Sequence, residues 1–129
     1  MVASPISQPV AAMQAEAEVV TKALLRGAAL LAIPNTVLGR IIGVSDATVS
    51  RLRNQGNTLS RHDKSFELAV LFIRLFRSLD ALIGGDAGVA QAWLRAPNEA
   101  LAATPLEAMQ TIPGLLNVLA YLDARRAVL

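Results

Sequence analysis

Residues 33–56 read IPNTVLGRIIGVSDATVSRLRNQG, and the folding of this stretch fixes the class of the whole chain. Between Asn35 and Ile42, Leu38, Ile41 and Ile42 share a short apolar face, with Gly39 small enough for a neighbouring helix to cross closely. Gly43 then stops that helix, because glycine accepts the left-handed conformation in which helices commonly end. Ser45 caps a second helix whose inward positions are Val49 and Leu52, and Asn54 to Asn57, with Gly56 inside, break it. A helix, a glycine turn and a serine-capped helix in this order make a helix-turn-helix. The second helix points Asp46, Ala47, Thr48, Ser50, Arg51 and Asn54 outward beyond Ser45, and short hydroxyls with an arginine suit the reading of base edges in a major groove. Arg40, Arg53 and Arg61 suit phosphates.

On the amino-terminal side, Val20, Leu24, Gly27, Ala28 and Leu31 recur at helical spacing, which predicts a first helix over Ala15–Ala32 ended by Pro34. Residues 1–12 are expected to form a disordered tail, and 13–58 the DNA-binding region. On the other side, Ser60 followed by Asp63 reads as a capping box opening a long helix to about Ile83. This helix is apolar over most of its circumference, with Glu67, Arg74 and Ser78 as a narrow polar seam. Residues 59–84 are therefore expected to form a central strut and, through Leu68, Leu71, Phe72 and Leu75, a dimer interface. Asp86 is the expected cap of a helix over Ala87–Arg95, and Thr104-Pro105-Leu106-Glu107 opens a short helix to about Thr111. Pro113 and Gly114 restart the chain into a last helix ending near Arg125 and Arg126. No alternating strand pattern interrupts this all-α reading.

Charge divides the chain. From Lys22 to Arg77 nine Lys or Arg stand against three acids, a net +6, whereas Ser78 to Leu129 nets −2. A basic middle suits a phosphate backbone. With 53% apolar residues and a mean hydropathy of +0.45, the chain is oily for its 129 residues, and part of its apolar surface is expected to be covered by another chain. Cysteine is absent, which excludes disulfides and thiolate metal sites. The longest apolar stretch is interrupted by Arg26 and Pro34 and falls short of a membrane span, so the expected location is the cytoplasm, without membrane contact.

The run GVSDATVSRL resembles the Xre or lambda-repressor class of DNA-binding domain, with Pro34 where that class has a polar cap and Leu52 where it often has Trp. Farther on, AWLRAPNEALAATPLEAMQT, within Ala92 to Leu122, resembles the toxin-binding domain of the Xre/MbcA/ParS antitoxins, with Ala102-Ala103 where that family often has glycines. The resemblance implies an all-α fold in which the helix-turn-helix joins, through the long helix, a three-helix toxin-binding region at residues 85–129. It also implies an antitoxin of a type II pair, whose partner is a RES-domain toxin that consumes or transfers from NAD and whose complex represses its own operon. On this reading Trp93, Leu94, Pro97, Asn98, Leu101, Leu106, Met109, Leu115, Val118 and Leu122 are the candidate toxin contacts, with Trp93 and Leu106 leaning to core and the later helices to contact. Arg125 and Arg126 are candidates to reach an NAD-shaped pocket in the toxin. A homodimer on a palindromic operator is the expected DNA-bound form.

His62 is the single histidine and has no cysteine or second histidine with which to share a metal, and the carboxylates sit at helix starts where capping explains them. No enzyme and no cofactor is expected. The rival readings are a stand-alone repressor whose carboxyl-terminal half dimerises or senses a ligand, and an interaction protein whose helix-turn-helix has lost DNA.

Overall fold

A computed structural model describes residues 7–128, and of residues 7–9 and 128 only the backbone. Seven α-helices follow one another among them: α1 (Ser7–Leu30), α2 (Asn35–Ile42), α3 (Asp46–Asn54), α4 (Lys64–Ile83), α5 (Ala87–Arg95), α6 (Pro105–Ala108) and α7 (Ile112–Val128), with a 3-10 turn at Glu99–Leu101. No helix among the described residues is long and apolar enough to cross a membrane. The expected tail lies outside the described residues as far as residue 6; from Ser7 the chain is already in α1.

Ala17, Thr21, Leu24, Ala28 and Leu31 alternate four and three residues apart, so α1 buries one continuous stripe. Pro34 is not what stops this helix. Ala32 adopts φ +54°, its N–H donates to the Ala29 carbonyl (3.1 Å), and the Ile33 N–H donates to Ala28 (2.9 Å). This pair of bonds is a Schellman ending, and it places an alanine where glycine is usual. Pro34 then provides the residue from which α2 begins, its carbonyl accepting from the Leu38 N–H at 2.9 Å.

The long helix α4 packs against α1, α2, α5 and α7, as an apolar circumference requires. It begins at Lys64, not at Ser60: Asp63 is its first flanking residue and makes no side-chain cap. Gly27 of α1 lies against the rings of Phe72 and Phe76, where an added Cβ would come to 3.3 Å of Phe72. Leu68, Phe72 and Leu75, expected at a dimer interface, are buried within their own chain, and Leu71 alone of the four is half-buried. The reason is that the chain's own front half covers part of that row: Gly27 of α1 lies against Phe72 and Gly43 after α2 against Leu68. Leu24, Leu38 and Val49 from the front of the chain and Leu94, Met109 and Leu122 from the back join one core cluster around Phe72, so the two halves share a single interior.

Candidate DNA-reading helix and aromatic-arginine face

The turn between α2 and α3 is built on two glycines. Gly43 has φ +76°, and its N–H and that of Val44 both donate to the Gly39 carbonyl. A side chain at Gly39 would put its Cβ 2.6 Å from the Val44 carbonyl oxygen, so the turn closes this tightly only over glycine. Ser45 Oγ accepts from the Thr48 N–H at 3.1 Å and shares a 2.9 Å bond with the Thr48 hydroxyl. Ser45 Oγ is thus spent on capping, and Ser45 serves the helix end. Val49 and Leu52 are buried, whereas Asp46, Ala47, Arg51 and Asn54 are exposed and Thr48 and Ser50 half-buried along the outer face of α3. Arg51 Nη2 donates to Thr48 Oγ1 at 3.4 Å and Asn54 Nδ2 to Ser50 Oγ at 3.2 Å, which lines these groups up along one side.

The other arginines of this half go elsewhere. Arg53 donates to the Ile33 carbonyl at 3.1 Å, Arg61 pairs with Glu16 of α1, and Arg40 reaches Gln110 Oε1 at 3.4 Å. Arg53 and Arg61 therefore have intramolecular work that the sequence reading, which gave them to phosphates, did not foresee. Arg53 takes part in a larger arrangement: Gln91 donates to the Leu30 carbonyl (2.9 Å), and Arg95 donates to Leu31 (3.2 Å) and Ala32 (2.8 Å). Four successive carbonyls at the end of α1, left without helical partners, are each met by a side chain. Gln91 and Arg95 come from α5, so the back half of the chain holds the link that leads into the helix-turn-helix.

In the back half, burial overturns the expectation for the later helices, while Trp93 and Leu106 pack against the core as expected, though only half-buried. Leu94, Met109, Leu115, Val118 and Leu122 are core residues and present no surface, because α5 and α7 close on α4 and α6 packs on both α5 and α7. Trp93, Leu101 and Leu106 are half-buried, and Pro97 is exposed. Asn98 fixes the loop between them: its side chain accepts from the Leu101 N–H (3.3 Å), and its own N–H donates to the Ala103 carbonyl (3.1 Å). Ala102, within that loop, has φ +57°. Thr104 caps α6 as its sequence predicts, its Oγ1 accepting from the Glu107 N–H at 3.2 Å, and Asp86 does the same for α5 through Val89 at 3.1 Å.

The ends of α5 and α7 meet in a stack that the sequence reading missed. Trp93 and Tyr121 lie ring to ring with centroids 6.1 Å apart and planes 27° apart, and the Arg125 guanidinium carbon sits 4.2 Å over the Tyr121 ring. Both contacts have the geometry of favourable aromatic and cation–π pairs. Tyr121 and Arg125 are four residues apart on a helix, a spacing that could have drawn attention to them. Arg126 turns the other way and donates to the buried Ser78 hydroxyl at 3.1 Å, while Ser78 donates to Asp123 at 2.7 Å. This arginine thus pins α7 to α4 and is not extended from the helix end.

Residues 11–74 match the family described as the antitoxin Xre-like helix-turn-helix domain. Residues 78–127 match the one described as the antitoxin Xre/MbcA/ParS C-terminal toxin-binding domain. The boundary between the two falls within α4, the helix that both halves share. No curated protein matches the chain.

Proposed function

Given that the chain belongs to the Xre/MbcA/ParS antitoxin family, we propose that it neutralises a RES-domain toxin acting on NAD and represses the operon encoding the pair. The observation that carries the reading is the Trp93–Tyr121–Arg125 stack, an aromatic pair topped by an arginine inside the matched toxin-binding segment. Large rigid rings and arginine are the side chains most often found at the energetic centre of an interface. Held by α5 and α7 against a packed core, they lose little freedom on binding. Pro97, Asn98, Leu101 and Leu106 would extend this contact, with the buried leucines, Met109 and Val118 as its support. The toxin would be covered at the entrance to its active site, with Arg125 rather than Arg126 as the cation nearest to it.

The DNA contact would be made by the outer face of α3, with Arg51, Thr48, Ser50 and Asn54 toward bases, Asp46 and Ala47 at the entry of the helix, and Arg40 toward a phosphate. Repression would take place in the cytoplasm, with a homodimer spanning the two halves of a palindromic operator. The test is rescue of cells expressing the RES-type toxin encoded beside this gene. Wild type should rescue, and Tyr121→Ala and Arg125→Ala should lose rescue and toxin capture while melting like wild type. Full rescue by both variants would remove the stack from the toxin contact, and failure of the wild type to rescue would sink the toxin assignment.

A further inference from the structure

We infer that the outward face of α4 is the surface on which a second copy of this chain docks, with the two α4 helices antiparallel about Val70 and Leu71. The inference rests on the homodimer in the functional reading above and names the interface that would make it. Val70 and Leu71 are only half-buried, and they share an apolar groove with Ile112 at the start of α7. Ile112 and Leu116, one turn apart on α7, are 50% and 45% exposed. Few large apolar side chains of the described chain are so open, and these two border the helix with the longest apolar circumference. An apolar patch of this kind is an unfinished surface.

The charges around the patch indicate what finishes it. Glu67 lies one turn before Val70 and Leu71 and Arg74 one turn after, both exposed. They are seven residues and two turns apart, about 10.5 Å along one face of the helix. An acid at one end and a base at the other, with an apolar pair midway, form a pattern that is complementary to itself when reversed. An antiparallel copy sets Glu67 against Arg74 of the second chain at both ends and Val70 against its Leu71. A parallel copy would set like on like. Lys64, which falls opposite Arg77 in that register, is already tied to Glu67 Oε2 at 2.7 Å, leaving Oε1 for the incoming guanidinium. Arg74 Nη2 stands 3.9 Å from Asp123 Oδ2 of its own α7, a long and exposed pair that leaves its other nitrogens for the second copy. A nucleic acid would meet the Glu67 carboxylate and the apolar pair on this face, so it is the poorer occupant. Burial of the apolar patch provides the attraction, and the exposed charges mainly set orientation and exclude the wrong one. No residue of α3 lines the groove, so docking there leaves both DNA-reading helices open.

The test is sedimentation equilibrium of the full chain across a wide concentration range, on wild type, Glu67→Arg, Arg74→Glu and the double swap. Each single reversal places like charges together twice and is expected to weaken dimerisation by about tenfold or more. The double swap restores opposite charges and is expected to restore the dimer. Circular dichroism confirms that each variant is folded, and capture of the toxin by the single variants shows that the toxin face is intact. Dimers that persist in both single variants overturn this interface while leaving the homodimer in place. A double swap that stays monomeric although folded overturns it as well. Wild type that is monomeric throughout overturns the interface and the homodimer together, without touching the toxin assignment.

Discussion

Gly114 offers the sharpest test of how the back half is assembled. A Cβ built on it lies 1.8 Å from the Ala108 carbonyl oxygen and 2.7 Å from the Ala108 carbonyl carbon, the closest approach at any glycine of the described chain. To reach an ordinary contact of 3.4 Å the carbonyl would have to retreat by about 1.6 Å. Both groups are backbone, so no rotamer change absorbs the overlap, and α6 has to part from α7. The parting disturbs the joint on both sides. The Thr111 hydroxyl, which accepts from the Gly114 N–H at 3.1 Å, loses its cap, and the buried Met109 and Leu115 lose their fit. Overpacking costs about 1–3 kcal/mol, and a lost cap about 1 kcal/mol. Gly114→Ala should therefore lower stability by about 2–4 kcal/mol, or roughly 7–15 °C in Tm for a chain of this size. Urea and thermal melts followed by circular dichroism measure this directly. Gly56→Ala is the control: it has φ +69° but no atom within 4 Å of its Cβ, so only the left-handed cost of about 1–2 kcal/mol applies. If Gly114→Ala loses no more stability than Gly56→Ala, the close packing of α6 on α7 is wrong.

Three further outcomes are expected. Ala102→Gly relieves the left-handed backbone at φ +57° and, after the larger unfolded-state entropy of glycine, should raise stability by about 0.5–1 kcal/mol in urea melts; a decrease would show that the Asn98–Ala103 loop does not hold that conformation. Arg51→Ala should weaken binding to the upstream DNA by about tenfold or more in a gel shift with the melt unchanged, whereas Arg53→Ala should lower the melting temperature through the freed Ile33 carbonyl; equal effects of the two on DNA binding and on the melt would contradict the different roles of these arginines. Arg95→Ala removes the donor to both the Leu31 and Ala32 carbonyls and, for exposed bonds, should cost about 1–2 kcal/mol; no change in stability would mean that water replaces the guanidinium without loss.

The sequence by itself determined the helical class, the helix-turn-helix, and the starts of α3, α5 and α6, because each rests on residues within a turn of one another: Ser45 with Thr48, Asp86 with Val89, Thr104 with Glu107, Gly43 after Ile42. It misplaced the end of α1, where alanine takes the position usually read from glycine. Only the tertiary structure decided which apolar residues are interior. On α4 and α7 the hydrophobic side chains run nearly all round, so periodicity alone does not distinguish a face covered by the same chain from one left for a partner. Leu115, Val118 and Leu122 thus looked like contacts and are core, while Leu71 and Ile112 remain outside. The long cations were equally undetermined. Arg53, Arg95 and Arg126 find partners 20, 64 and 48 residues away, and a flexible side chain carries no local sign of the distant carbonyl or hydroxyl that packing will bring within its reach.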